Sequence, residues 1–471
     1  MRHLTSVQRT LRDAGLEVVL YDRARLALSE AGRGGAEPLL TSRGVVAGLV
    51  ASAACLGWLL EGWSRGARQG LGNDFFIYWA ASRLLSSGGN PYRVEAVDRL
   101  LHAEHVQATV GHDGYVYPIV FAMALQPLAR LPAVVAFGVF TGLGVLALTL
   151  AVALLASPIA SRLPFWELVG VAIVTGSFVP VRGSLYFGQA NLLLLVPLAM
   201  CFRGWRPAAW IAIAAAIKLY PAAALAVLAV RGRRGVAAAA VGVAFAGLLI
   251  AVPNLLVGHG LGGRILGMLG PDTYITNESF NGALSRLARP SGAVLGVPVE
   301  LAMLGLDLLT GLAVAAVLVL RRGRPWPGCV ALVIAWSLLA APKISLWDLA
   351  PLIVTAAFCW PRVRRRPVAV LVLVAGWSLI AAQSSVDLGQ YAAASRLDGW
   401  NGLLSSLATL GALLIAILAG RLVWEAGRDE DAGPAHAFSR TPSELHVGRS
   451  RPSPPSGAIL GRGSRPRGHR R

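Results

Sequence analysis

From Ala133 to Ala156 the chain runs for 24 residues without one charged side chain. A bilayer core about 30 Å thick needs roughly 20 such residues per helix. Comparable apolar runs recur along most of the sequence, which makes a helical membrane fold nearly obligatory. Only 14% of the 471 residues are charged and 55% are hydrophobic, whereas soluble domains are about a quarter charged. A transmembrane barrel would show short alternating segments instead. The expected fold class is an all-α polytopic membrane protein.

The runs predict spans over Val45–Leu60, Ala133–Ala156, Trp166–Val181, Leu185–Phe202, Ala208–Ile217, Pro221–Val230, Val236–Leu256, Leu301–Leu320, Cys329–Ala341, Asp348–Trp360, Val368–Ala382 and Leu403–Gly420, twelve in all. Several are too short to cross alone. The pairs flanking Lys218 and Lys343 read as broken or re-entrant helices, whose open backbone survives at membrane depth only under a cover of protein or beside a polar cavity. With the N-terminus in the cytoplasm, alternation leaves 30 Arg against 11 acidic residues inside, and 11 Arg and two Lys against 13 acidic residues outside. That separation follows the positive-inside rule. It predicts a plasma-membrane protein with both termini cytoplasmic. Three regions follow: a cytoplasmic segment over 1–43, a membrane domain over 44–424 and a disordered, basic cytoplasmic tail over 425–471. The first 43 residues mix seven Arg with five acidic residues, which is unlike a cleavable signal peptide.

The net charge of +19 suits a bilayer partner better than nucleic acid, because a basic tail beside a membrane serves topology and anionic-lipid contact. Nucleic acid is not an expected partner. Cys55, Cys201, Cys329 and Cys359 fall in apolar segments and read as buried free thiols. His102-x-x-His105 with His112 lacks the further ligands of a metal site, so neither metal nor cofactor is expected. Asp307, inside a span, is expected to pair with another polar group or face a cavity.

Polar groups collect on the outer side of this scheme. The first outer loop, Glu61 to about Pro132, opens with Asn73-Asp74 and an aromatic stretch through Tyr78 and Trp79. Asp74 reads either as a helix N-cap or as a carboxylate at a membrane-surface site. Amphipathic periodicity predicts a further helix over Arg93–Val106. Gln189 and Asn191 start the fourth span, Asn277 and Asn281 lie in the second large outer loop, and Lys218 and Lys343, the only lysines, mark the two helix-pair apices. Each alone has a bland reading as turn or cap chemistry. Together they form the parts for sugar transfer from a lipid-linked phosphate: a carboxylate base, a compact cation for phosphate, and a groove for lipid. A flippase or transporter of a lipid-linked sugar is the alternative, since broken helices with polar apices also suit transport.

The chain also resembles the family 87 glycosyltransferases, the actinobacterial polyprenyl-phosphate-mannose-dependent mannosyltransferases with a GT-C fold. The matching stretches are Asp74-Phe-Phe-Ile-Tyr-Trp-Ala-Ala-Ser-Arg-Leu-Leu, Asn90-Pro91-Tyr92, Tyr115-Val116-Tyr117-Pro118, Gly188-Gln189-Ala190-Asn191-Leu192-Leu193, Ile217-Lys218-Leu219-Tyr220-Pro221 and Asn277-Glu-Ser-Phe-Asn281-Gly282-Ala-Leu. Where many members carry a serine- and histidine-rich motif, this chain has Pro342-Lys343-Ile344-Ser345-Leu346-Trp347-Asp348. The resemblance implies a GT-C-like bundle and an inverting transfer, of mannose, from a polyprenyl phosphate donor to a hydroxyl of a glycolipid or lipoglycan acceptor at the outer face. Asp74 would be the general base. Lys218, with Lys343, would stabilise the leaving phosphate. Gln189, Asn191, Asn277, Asn281 and Asp348 would hold substrate oxygens, and Tyr78, Tyr92 and Trp347 would stack on sugar rings. An arabinofuranosyltransferase using another polyprenyl phosphate is the alternative within this class.

Overall fold

A computed structural model describes residues 38–64, 70–110, 114–257, 270–274, 276–289, 291–321, 323, 325–390, 399–404 and 406–426. Most of the expected N-terminal segment, nearly all of the tail and His112 lie outside the described residues. The helices in chain order are α1 (Ser42–Ser64), α2 (Asn73–Ser86), α3 (Val94–Ala103), α4 (Ile119–Ala124), α5 (Gln126–Ala129), α6 (Ala133–Ala156), α7 (Phe165–Ser177), α8 (Val179–Phe187), α9 (Asn191–Phe202), α10 (Pro207–Ile217), α11 (Leu225–Ala229), α12 (Arg233–Val257), α13 (Phe280–Leu287), α14 (Val299–Leu320), α15 (Trp326–Leu339), α16 (Leu352–Val363), α17 (Pro367–Gln390), α18 (Gly399–Leu404) and α19 (Leu407–Glu425). A two-residue antiparallel ladder, Ala293–Val294 on Val297–Pro298, precedes α14. The protein is an all-α polytopic membrane protein.

Among the described residues, α1, α6, α12, α14, α17 and α19 are long and apolar enough to cross a bilayer. Their closest packings rest on missing side chains. A Cβ at Gly48 of α1 would lie 2.2 Å from the Thr149 carbonyl oxygen of α6, and one at Gly411 of α19 would lie 2.4 Å from that of Gly376 in α17. Small residues at such crossings let membrane helices approach closely, where dispersion supplies the attraction. By contrast α12 and α14 turn most of their surface outward, with Leu248, Leu255, Leu304, Leu309 and Leu312 exposed. Such a surface suits lipid tails. The Oδ1 of Asp307 on α14 is buried and accepts no hydrogen bond among the described residues.

The remaining apolar helices are short. At 1.5 Å per residue, α9, α10 and α15 span about 17–21 Å, too little for a full crossing, and they end where the chain breaks. The expected Trp166–Val181 span breaks at Phe178, and α7 and α8 meet there with a bend of 48°. Pro180 accounts for the break. It lacks an N–H and suits the first turn of α8 rather than the middle of a longer helix. After Lys218 the chain makes a 3₁₀ turn over Tyr220–Ala224 before α11, and after Lys343 another over Leu346–Leu349 before α16. These are the two interrupted pairs expected from the sequence.

The first large loop folds into a core of its own. Helix α2 buries Phe75 through Ser82, so this stretch is enclosed by protein on every side. Phe75 meets Phe140 of α6 at a ring-centroid separation of 4.8 Å, and Tyr78 packs edge-on against Tyr117 at 4.8 Å. Helix α3 presents Val97 and Leu101 to this core, in line with the amphipathic pattern. The result is a packed platform joined to the ends of α6 and α8.

Candidate active site

Asp74 sits in the first turn of α2, but it does not cap the helix. The capping position belongs to Gly72, at φ 73°, and carries no side-chain cap. The carboxylate is therefore available for other contacts. Its Oδ1 accepts from Asn73 Nδ2 at 3.3 Å and its Oδ2 accepts from Gln189 Nε2. No lysine or arginine touches it among the described residues. Protein encloses the group while part of its surface stays open. Burial raises its pKa to about 6, reinforced by the nearby Asp348 charge and opposed by the Asn73 and Gln189 amides and by Lys218. A buried carboxylate without a contacting cation behaves this way.

The orientation of Gln189 is fixed from behind. Tyr78 Oη donates to Tyr117 Oη at 2.7 Å, and Tyr117 Oη donates to Gln189 Oε1 at 3.0 Å. A phenol at this pH donates its single proton. The amide oxygen thus faces the tyrosines and the amide nitrogen faces Asp74. The position of Gln189 depends on Gly188, which ends α8 at φ 69° in the left-handed conformation favoured by glycine. A side chain at 188 would meet Phe75 Cβ at 2.5 Å.

The second half of the site is an ion pair. Lys218 Nζ donates to Asp348 Oδ1, and the ammonium lies 5.2 Å from the centre of the Tyr117 ring. Asp348 is held from several sides. Asn191 Nδ2 donates to Oδ1 at 3.0 Å, while the Ser345 backbone N–H and hydroxyl donate to Oδ2 at 2.8 and 3.2 Å. Asn191 Nδ2 also lies 2.9 Å from the Trp347 carbonyl, which accepts from Ser184 Oγ at 3.1 Å. The Trp347 ring rests directly on Gly183, where a Cβ would lie 1.8 Å from it, and faces Phe187 at 4.9 Å. Asp74, Gln189, Asn191, Lys218, Trp347 and Asp348 thus converge, from four separate stretches of sequence.

Lys343 belongs to a neighbouring cluster. Its Nζ lies 3.3 Å from Asp272 Oδ2 and 5.2 Å from the centre of the Tyr274 ring. Asn277 and Asn281 build the frame beneath it. Asn277 Oδ1 accepts from Ser279 Oγ at 2.7 Å and from the Ile344 N–H at 3.3 Å, and Asn281 Nδ2 donates to the Pro342 carbonyl at 3.0 Å. Glu278 N–H donates to the Ile344 carbonyl at 2.8 Å. The two asparagines thus fix the 342–345 segment that carries Lys343 and leads into Asp348. Tyr92 is buried, with its hydroxyl donating to the Tyr117 carbonyl at 3.0 Å. Tyr78 and Tyr92 therefore stand in the platform beneath Asp74, and Trp347 is the aromatic with a partly open face.

Sequence reasoning did not single out Tyr117, Asp272, Ser184 or Ser345 as site residues. Tyr117 stood in a quoted motif, and its proximity to Lys218 comes only from the tertiary fold. Asp272 has no distinguishing local pattern. Its pairing with one of the two lysines is visible only in three dimensions.

Comparison with known protein families matches residues 115–342 to Glycosyltransferase family 87. Neither the curated proteins nor the solved structures provide a match.

Proposed function

We propose that this membrane protein, whose residues 115–342 match the glycosyltransferase family 87 model, is a glycosyltransferase that carries out an inverting transfer of mannose from a polyprenyl phosphate to a glycolipid or lipoglycan hydroxyl at the outer face of the plasma membrane. Asp74 takes the proton of the acceptor hydroxyl. The freed oxygen attacks the anomeric carbon, the bond from that carbon to the phosphate oxygen breaks, and the polyprenyl phosphate leaves with the bonding pair. Lys218 meets the negative charge that develops on the leaving group. An ammonium has three N–H donors, so Lys218 can keep Asp348 and still donate to phosphate.

The observation that carries this reading is the contrast between the two carboxylates. Asp348 is tied to a cation and three further donors. Asp74 has only two amide donors and a pKa raised to about 6. An oxygen with spare lone pairs and a pKa close to working pH is suited to general-base work. Gln189, locked by the tyrosines, orients it. Trp347 offers a face for a sugar ring, and the outward apolar surfaces of α12 and α14 suit the polyprenyl chain.

The test is purified enzyme in phospholipid nanodiscs with polyprenyl phosphate mannose and glycolipid acceptors, reading transfer and product anomeric configuration by NMR. Mannosylated product with inverted configuration supports the reading. Retained configuration overturns the single-displacement scheme, and transfer from a nucleotide sugar alone overturns the donor.

A further inference from the structure

Arg182 lies on α8, six residues before Gly188 at the active site. Its guanidinium carbon stands 4.1 Å from the centre of the Trp58 ring on α1, and its nearest carboxylate influence is Glu61. Among the described residues nothing accepts a hydrogen bond from the Arg182 side chain, which is neither sealed in nor fully exposed. Trp58, which covers one face of it, keeps 45% of its own surface open.

Position makes this arrangement informative. Trp58 is six residues before the end of α1, about 9 Å along the axis at 1.5 Å per residue. Arg182 lies a similar distance from the end of α8. Both helices end on the side of the Asp74 platform: the loop after α1 leads to Asp74, and α8 leads to Gln189. The guanidinium therefore sits at the depth of the interfacial belt, where tryptophan is favoured and where a long basic side chain extends toward headgroups. At this depth the five N–H donors of an arginine meet water and headgroup oxygens at one side and apolar surface at the other. Hydrocarbon offers no acceptor. A phosphate at the interface does, in the planar two-pronged geometry that a guanidinium matches.

We propose that Arg182 and Trp58 form a lipid-phosphate site beside the catalytic centre, with the guanidinium binding the phosphate oxygens and the indole supporting both the cation and the first apolar groups of the lipid chain. The phosphate chemistry stands on the geometry alone. That the lipid is the polyprenyl phosphate donor on its way to Lys218 rests on the proposed function; a bilayer phospholipid headgroup offers the same oxygens.

The experiment is a binding measurement that needs no turnover. Full-length enzyme in phosphatidylcholine nanodiscs is titrated with farnesyl phosphate, with phosphatidylglycerol and with farnesol, for wild type, Arg182→Gln, Arg182→Lys and Trp58→Leu. Arg182→Gln is expected to weaken farnesyl phosphate about tenfold or more and leave farnesol unchanged, with Arg182→Lys recovering part of the loss. Trp58→Leu, which keeps the charge, should weaken the same phosphate by a smaller factor. Weakening confined to phosphatidylglycerol assigns the site to a bilayer lipid, and weakening confined to farnesyl phosphate assigns it to the donor. Equal affinity of wild type and both Gln and Leu variants for both phosphates overturns the proposal, as does an equal loss for farnesol. Because Asp74 plays no part in this readout, failure here is distinguishable from failure of the catalytic scheme.

Discussion

Replacing Lys218 by Met removes the cation but keeps most of its volume, and should harm the protein in two separable ways. Lys218 and Asp348 expose only 12% and 13% of their side chains, so the variant strands a buried carboxylate. Breaking one side of such a pair costs about 3–5 kcal/mol. Asp348 keeps the Ser345 N–H at 2.8 Å and Asn191 at 3.0 Å, which places the expected loss near about 3 kcal/mol, the lower end of that range. Transfer should fall by a further factor of roughly 10²–10³, the usual effect of deleting one donor to developing negative charge. Adding Asp348→Asn removes the stranded charge and keeps an amide oxygen for the Ser345 N–H and hydroxyl, at the expense of the acceptor that faced Asn191. The double variant should regain most of the stability and none of the rate. Detergent unfolding midpoints and initial rates with polyprenyl phosphate mannose, measured on the same preparations, read both quantities. A double variant that regains stability together with a tenth or more of the wild-type rate would refute the phosphate role and leave Lys218 as a structural partner of Asp348.

The pH dependence follows from Asp74. With its pKa at about 6, about nine-tenths of the base is ionised at pH 7 and about one-tenth at pH 5, so the rate should drop roughly eight- to tenfold over that interval; a flat profile down to pH 5 contradicts it. Gly183→Ala puts a Cβ where the Trp347 ring lies. Overpacking costs about 1–3 kcal/mol, and displacement of the 346–349 turn should raise the KM for donor; unchanged kinetics would show that the ring position is immaterial. Asn277→Ala leaves the Ile344 N–H and Ser279 without their acceptor and should lower stability by about 2 kcal/mol or more. The unfolding midpoint checks it, and a midpoint equal to wild type would remove Asn277 from the frame.

Much of the architecture was legible because apolar length is a local property. Ala133–Ala156 matches helix α6 at both ends, and Pro221 marks the broken pair after Lys218. The boundaries around α8 were not read correctly. Hydropathy puts the break at Arg182-Gly183-Ser184, whereas the backbone breaks at Phe178, before Pro180, and again at Gly188. Within the site, Asp74, Gln189, Asn191, Lys218, Trp347 and Asp348 were visible as polar or aromatic residues at span ends. Their mutual contacts were not. The Lys218–Asp348 pair joins residues 130 positions apart, and nothing local to either residue specifies its partner. The same applies to Lys343, which the sequence places with Lys218 as a second phosphate cation. In the structure it lies 3.3 Å from Asp272, 71 positions earlier in the chain.

The most direct measurement concerns Asp74. Folding raises its pKa above the value of 3.8 for an unburied aspartate, so its ionised form costs stability above pH 6, and that cost fades as pH falls through 6 toward 3.8. Asp74→Asn removes the charge and the base together. Transfer of mannose from polyprenyl phosphate should fall at least about 10³-fold, while the unfolding midpoint at pH 7.5 stays equal to wild type or rises. A variant that folds normally and retains wild-type transfer would contradict the assignment of Asp74 as the base.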